Sequence, residues 1–201
     1  MPPPEENALG MPVVAALQAL VAARADEQIV VTNQGSARIW PQLSQHALDL
    51  HYNPSTMGGA IPLALGLALA QPHRQVLVVS GEGSLLMSLG ALVTVVGTGV
   101  TNLSIVVLDN AMYEVTGGQK TPATNSEVDL TGIARAVGFQ SVAHFWDLPN
   151  WQAQAATALS LPGPRFIWLQ VQPAPPEYLR AATPPIAGQL ASLQRQLGVT
   201  Q

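Results

Sequence analysis

Residues 75–113, QVLVVSGEGSLLMSLGALVTVVGTGVTNLSIVVLDNAMY, contain one complete strand–turn–helix–strand pattern. The apolar run 76–79 predicts a strand, the turn SGEGS follows it, and an apolar helical segment runs from residue 85 to about 96. Glycines end that segment, and the apolar run 103–108 predicts a second strand leading into Asp109-Asn110. A βαβ unit of this kind has parallel strands and a right-handed crossover. The sequence therefore predicts a parallel sheet.

Two polar side chains directly follow the predicted strands of this unit. Glu82 comes after the first strand and Asn110 after the second. Both can face the crevice outside the carboxyl ends of the strands, where open α/β sheets bind ligands. The helix that starts after Gly83 adds backbone N–H groups that favour an anion. A carboxylate, a carboxamide and an anion-binding helix start in one crevice indicate a site for Mg²⁺ and a diphosphate.

The rest of the chain continues the alternation of strands and helices. The predicted strands are 28–32, 48–52, 139–143 and 166–171, the predicted helices are 12–24, 60–70, 130–138, 151–161 and one near 187–197, and the predicted loops are 33–36, 53–59 and 114–120. Residues 1–10, MPPPEENALG, are expected to be a disordered lead, and residues 11–201 to be one domain. The expected fold class is α/β, a doubly wound parallel sheet with helices on both faces.

The fractions of charged and apolar residues indicate which kinds of binding partner to expect. Charged residues make up 10% of the chain and apolar residues 48%, whereas about 25% charged residues is usual. We therefore expect partner subunits to cover part of the surface. The net charge of -4 and only eight Lys plus Arg provide no basic patch, so nucleic acid is not an expected partner.

Composition also excludes several kinds of chemistry and suggests a location. The absence of cysteine excludes disulfides, thiolate nucleophiles and cysteine-bound iron–sulfur clusters. The first residues lack a basic-then-apolar signal pattern, and the apolar stretches are short for a membrane span and contain glycine. The sequence predicts a soluble, cytoplasmic protein without a membrane partner.

Several segments, taken in order, resemble one family. MGGAIPLALGLALAQPHRQVLVVSGEGSLLM (57–87) resembles the start of the diphosphate-binding domain of thiamine diphosphate (ThDP) enzymes, in which a GDG turn is followed some 25–30 residues later by a pair ending in Asn. LDNAMYEVTGGQK (108–120) and VDLTGIARAVGF (128–139) are similar to stretches of sulfopyruvate and phosphonopyruvate decarboxylases. The resemblance covers roughly residues 28–140.

The resemblance implies roles for individual residues. Glu82, Asn110 and the carbonyl of Met112 would bind Mg²⁺. The carbonyl of Ser55 would accept from the aminopyrimidine of ThDP, and Met57 would force the bent shape of the cofactor. The complete set of implied cofactor-binding residues is Ser55, Met57, Gly58, Gly81, Glu82, Gly83, Ser84, Asn110, Met112 and Tyr113.

Glu82 departs from the family pattern, which has Asp in the turn. Its extra methylene moves the carboxylate about 1.5 Å further out, while Mg²⁺ prefers near-octahedral oxygen ligands at about 2.0–2.1 Å. Glu82 could fold back, bind through water, or select a different metal.

The resemblance also implies that a second chain is needed. In the family, the carboxylate that activates the cofactor lies on a pyrimidine-binding domain, and this chain has room for only one domain. We expect a hetero-oligomer with a pyrimidine-domain subunit, together with self-association. The implied reaction is decarboxylation of a small 2-oxo acid to an aldehyde. Arg38, His51 and Lys120 are the candidates for contacting the substrate.

Other functions remain open at this point. An acetolactate-synthase-like carboligase subunit shares the central motif. A non-catalytic binding subunit could have kept the fold while Glu82 weakened the metal site. A Rossmann dinucleotide-binding protein fits less well, because Leu86 stands where the third glycine of G-x-G-x-x-G would fall. The lack of cysteine disfavours an iron–sulfur 2-oxoacid oxidoreductase.

Overall fold

The computed structural model describes residues 10–123 and 128–198. Most of the expected lead, residues 1–9, therefore lies outside the described residues. The strands are β1 (Ile29–Asn33), β2 (Asp49–Tyr52), β3 (Val76–Gly81), β4 (Leu103–Asp109), β5 (Met112–Tyr113), β6 (Gln119–Lys120), β7 (Ser141–Phe145) and β8 (Arg165–Gln170). The helices are α1 (Val13–Ala23), α2 (Gln34–Leu43), α3 (Ala60–Ala70), α4 (Glu82–Leu86), α5 (Ala91–Gly97), α6 (Leu130–Val137), α7 (Leu148–Ser160), α8 (Pro176–Leu179) and α9 (Ile186–Gln196), with a 3₁₀ turn at Glu114–Thr116.

Six strands form one parallel sheet in the order β2-β1-β3-β4-β8-β7. Alternate residues of each strand face opposite sides: Ile29 and Val31 pack with α3, while Val30 packs with α1 and α2. The chain leaves β1 towards β2 on one side and β3 lies on the other. That reversal opens a crevice at the carboxyl ends of β1 and β3. The prediction of a doubly wound parallel sheet with helices on both faces is confirmed.

The segment predicted as the loop 33–36 is mostly helical, because α2 begins at Gln34. The hydroxyl of Ser36 accepts the amide of Asn33 at 3.2 Å and so supports the helix start. Pro41 lies inside the helix and does not end it. Proline removes its own hydrogen bond to the preceding turn and crowds a carbonyl of that turn, but Ile39 and Trp40 are fully buried just before it. The free energy gained by burying Ile39 and Trp40 thus outweighs the cost of Pro41 inside the helix.

The predicted single helix 85–96 is also wrong, since the structure has two short helices, α4 and α5. The turn between them contains Ser88 and Gly90, and Ser88 packs against Gly58. Gly58 has φ +83°, and a Cβ there would lie 2.7 Å from Cβ of Ser88. The break in the helix therefore places the turn after α4 against the loop 53–59.

Smaller boundaries shift as well, and α7 begins at Leu148 and not at Trp151. β7 begins at Ser141 and not at Phe139, because the amide of Phe139 still donates to the carbonyl of Ala134 at the end of α6. The predicted loop 114–120 contains a 3₁₀ turn, and its last residues, β6, pair antiparallel with β5.

The tail after β8 crosses the sheet and ends in α9, which covers the edge strand β2. The side-chain amide of Gln189 accepts the backbone N–H of His51 at 2.7 Å and donates to the carbonyl of His51 at 3.3 Å and of Pro184 at 2.7 Å. Gln189 thus occupies the backbone groups that a neighbouring strand would use. Within the described residues, no helix is both long and apolar enough to cross a membrane.

We expect Gln189→Ala to lower the free energy of unfolding by about 1–2 kcal/mol, because it removes the partners of both backbone groups of His51. Urea unfolding followed by circular dichroism measures this. Gln194→Ala, at an exposed position of the same helix, is the matched control and should change stability little. Equal stability of the two variants would show that the edge contact contributes nothing.

Candidate functional site

A cleft opens where the carboxyl ends of β1, β3 and β4 meet, at the reversal of strand order. Its walls come from the start of α2, the loop before α3, the start of α4 and the segment after β4. Its lining includes Asn33, Gln34, Gly35, Met57, Gly81, Glu82, Gly83, Ser84, Asn110, Met112, Tyr113 and Glu114. The topology thus places Glu82 and Asn110 in one cleft, as expected from the βαβ unit.

Glu82 is the first residue of α4 and is 1% exposed. The hydroxyl of Thr121 and the amides of Glu82 and Gly83 favour the charged carboxylate, yet burial and the nearby charge of Asp109 raise the pKa of Glu82 to about 7. Among the described residues, its Oε1 has no hydrogen-bond partner. A buried carboxylate oxygen without a donor is a position that a cation would stabilise.

Asn110 lies in a tight turn after β4. Its Oδ1 accepts the amide of Met112 at 3.1 Å, and Oδ1 of Asp109 accepts the amide of Ala111 at 3.0 Å. Ala111 has φ +62°, a left-handed conformation that non-glycine residues seldom adopt. The amide of Thr121 also donates to the carbonyl of Ala111. Several contacts thus hold a strained turn in which Asn110 lines the cleft.

Tyr113 covers the start of α4. A Cβ on Gly83 would lie 2.6 Å from Cε1 of the Tyr113 ring, so only glycine fits beneath the ring without displacing it. The hairpin of β5 and β6 carries Tyr113 and leads to Thr121, which is 3% exposed. Sequence analysis did not identify Thr121, because its approach to Glu82 depends on this hairpin. α4 has five residues, so the predicted anion binding there would depend on individual N–H groups.

Ser84 joins three parts of the cleft. Its hydroxyl accepts the amide of Gly58 at 2.9 Å and the side-chain amide of Asn33 at 3.2 Å. These contacts fix the loop that places Met57 at the cleft. Asn33 is 1% exposed, and its Oδ1 has no hydrogen-bond partner in the part of the chain that the structure describes. Asn33 directly follows the predicted strand 28–32 and is the last residue of β1, so the rule that found Glu82 could also have found Asn33.

Gln34 and Glu114 are further cleft residues that the sequence analysis missed. Gln34 has φ +52°, a left-handed backbone conformation that is strained for a residue other than glycine. Glu114 lies in the 3₁₀ turn, and its Oε1 accepts the amide of Ala174 at 2.6 Å. That bond ties the segment after β4 to the tail after β8. Only the folded chain brings these two segments together.

Five predicted residues do not line the cleft: Ser55, Gly58, Arg38, His51 and Lys120. Ser55 lies in the loop before α3, half-buried. The guanidinium of Arg38 donates to the carbonyl of Leu179, which ties α2 to α8. His51 is 5% exposed in β2 and shares a 2.9 Å hydrogen bond with the hydroxyl of Thr32. Lys120 is exposed in β6. Their predicted roles in ligand binding remain predictions.

The family model for the C-terminal TPP-binding domain of thiamine pyrophosphate enzymes matches residues 14–168. The chain is 40% identical over 162 residues to phosphonopyruvate decarboxylase of Streptomyces viridochromogenes, covering 80% of this chain and 40% of that protein. It is 43% identical over 122 residues to the sulfopyruvate decarboxylase subunit beta of Methanothermobacter thermautotrophicus, covering 61% of this chain and 62% of that protein.

An X-ray structure described as a thiamin diphosphate-dependent enzyme from Mycobacterium smegmatis superimposes with a TM-score of 0.67. Its sequence is 24% identical, and the match covers 82% of this chain and 32% of that one. At this level of identity the likeness supports the fold alone. The chain also spans well under the full length of both curated relatives.

The buried Glu82 makes stability depend on pH in the metal-free protein. Its folded pKa of about 7 exceeds the ordinary value of 4.5. Below about pH 4.5, Glu82 therefore does not lower the free energy of unfolding. As pH rises from there to about 7, ionisation of Glu82 lowers the free energy of unfolding progressively. We expect Glu82→Gln to remove this loss and to be more stable than the wild type above pH 7 by on the order of 2–3 kcal/mol.

Urea unfolding in EDTA at several pH values tests this expectation. Glu177→Gln, at an exposed position of α8, should follow the wild type at every pH. Parallel pH profiles for Glu82→Gln and the wild type would contradict a raised pKa at Glu82.

Proposed function

The chain belongs to the thiamine pyrophosphate enzymes, as a C-terminal TPP-binding domain, and from that membership we propose that it is the diphosphate-binding subunit of a Mg²⁺-dependent 2-oxoacid decarboxylase. The observation that carries the proposal is that Oε1 of Glu82, in the same cleft as Asn110, has no hydrogen-bond partner within residues 10–123 and 128–198. The names of the relatives, phosphonopyruvate and sulfopyruvate decarboxylases, support the reaction class.

The donor set fits a hard divalent cation. A carboxylate oxygen, an amide oxygen and a backbone carbonyl are oxygen ligands of the kind that Mg²⁺ takes. We assign them to Glu82, Asn110 and Met112. Asn110 Oδ1 accepts one N–H, which leaves it a second lone pair. The described residues contain no group of three His, Cys, Asp or Glu that could bind a metal, so the diphosphate would have to supply further oxygens.

ThDP, when bound, supplies the electron sink for breaking the bond between the carboxylate and the 2-oxo carbon of the substrate. The protein's own residues would position the reactants. Ser84 holds the loop that carries Met57, and Tyr113 covers Gly83. The hairpin of β5 and β6 brings Lys120 near this region, where its charge could attract an anionic 2-oxo acid.

We propose that a separate pyrimidine-domain subunit completes the site. The acids nearest the cleft already have other contacts: Asp109 accepts two hydrogen bonds and Glu114 binds the amide of Ala174. An activating carboxylate would therefore come from another chain. Met87 is 56% exposed and Val93 is 60% exposed. Both lie on the α4–α5 segment, whose Ser88 packs against Gly58 in the loop beside the cleft. Those apolar side chains support a docked partner.

The metal assignment predicts a graded response at residue 82. We expect Glu82→Ala to abolish Mg²⁺-dependent ThDP binding, because it removes the only anionic ligand assigned to the metal. Glu82→Asp should keep or improve binding, because Asp is the usual residue of the family turn. Isothermal titration calorimetry of ThDP with Mg²⁺ measures this in each variant assembled with its pyrimidine-domain subunit, with Glu177→Ala as the control that binds like the wild type.

Two results would count against the metal assignment. Tight wild-type binding that survives Glu82→Ala would mean that the diphosphate is held without this carboxylate. A wild type that binds neither ligand, with both restored by Glu82→Asp, would indicate a non-catalytic subunit.

The activity prediction concerns the assembled protein. We expect the chain alone to release no carbon dioxide from phosphonopyruvate, sulfopyruvate or pyruvate. Combination with a pyrimidine-domain subunit encoded beside it should give ThDP- and Mg²⁺-dependent release with at least one of the acidic substrates. Turnover by the isolated chain would contradict the divided site, and formation of acetolactate from pyruvate would indicate a carboligase instead.

A further inference from the structure

Asp109 connects the cleft to an aromatic pair on β7 and β8. Its Oδ2 accepts the indole N–H of Trp168 at 3.0 Å, and its Oδ1 accepts the amide of Ala111 at 3.0 Å. Trp168 is 8% exposed and stacks on His144, with ring centroids 3.8 Å apart and planes 7° apart. The indole is therefore held in place from its face as well as its edge.

The turn after β4 needs this support. Ala111 has φ +62°, a conformation that costs on the order of 1–2 kcal/mol for a residue with a Cβ. The bond from Ala111 to Asp109 stabilises that conformation only while the carboxylate keeps its orientation. Trp168 fixes the orientation by binding the other oxygen. Asn110, which lies between Asp109 and Ala111, lines the cleft and would move with the turn.

We propose that Trp168 is a positioning residue that acts through Asp109 to hold Asn110 in the geometry that binds the metal. This inference rests on the proposed function, since it concerns the same metal site. Trp168 does not itself line the cleft, so its effect must pass through the hydrogen bond to Asp109. The sequence alone gives Trp168 no such role, because β4 and β8 become neighbours only in the folded sheet.

The test compares Mg²⁺ affinity at saturating ThDP, by calorimetry, in the wild-type chain and its variants, each assembled with its pyrimidine-domain subunit. Trp168→Phe removes the indole N–H and keeps a ring that can stack on His144. We expect it to weaken Mg²⁺ binding about tenfold, the effect of losing one hydrogen bond to a charged group. Trp151→Phe is the matched control. Trp151 is also buried, and its N–H donates to the carbonyl of Ala16 at 2.9 Å, outside the cleft lining.

A double-mutant cycle separates positioning from loss of stability. If Trp168 acts through Asp109, Trp168→Phe should have little further effect on Mg²⁺ affinity in an Asp109→Ala background. Equal effects in both backgrounds would overturn the inference, and so would equal Mg²⁺ affinities of Trp168→Phe and Trp151→Phe. Absence of any Mg²⁺-dependent ThDP binding by the wild type would instead refute the proposed function and this inference with it.

Should Trp168→Phe fail to fold, Asp109→Ala tests the same link from its other end. We expect it to weaken Mg²⁺ binding at least tenfold, because Ala111 and Trp168 lose their shared acceptor. Unchanged Mg²⁺ affinity in this variant would overturn the inference.

Discussion

Burying Glu82 costs free energy, and the protein alone offsets only part of that cost. Three donors favour the charged carboxylate, but no described residue donates to Oε1, and the charge of Asp109 opposes ionisation. Such a group is stable in a core only if it takes up a proton or gains a cation. Much of the surrounding structure, including the hairpin that brings Thr121 to Glu82 and the strained turn after β4, shapes the space around this one oxygen.

The path of the chain explains why distant segments meet there. β1, β3 and β4 are adjacent and parallel, so the residues after each strand reach the same edge of the sheet. The tail then returns across that edge and is fastened by Glu114 to Ala174 and by Arg38 to Leu179. The sequence offers Arg38 as a cation that could bind a substrate. In the structure, the Arg38 guanidinium helps to hold the wall of the cleft.

Sequence alone was sufficient for the parts of the fold that depend on local patterns. The βαβ pattern predicted the sheet and placed Glu82 and Asn110 together. It failed where tertiary contacts decide the outcome: α2 forms despite Pro41 because Trp40 is buried, and the helix after Ser84 breaks where Ser88 meets Gly58. Thr121, Glu114 and Trp168 could not be found in advance, because each reaches its partner across a long separation in the chain.

Gln189 has a consequence for the behaviour of incomplete chains. The sheet ends at β2, and an uncovered edge strand offers unpaired N–H and C=O groups to any other extended chain. Gln189 comes from α9, which is made after every strand of the sheet. During synthesis, or after proteolysis between β8 and α9, His51 would present its backbone as a template for intermolecular β-pairing. Helix α9 therefore protects the edge strand from aggregation only after the rest of the sheet has been made. A truncation that removes α9 but leaves the whole cleft could still make the protein insoluble.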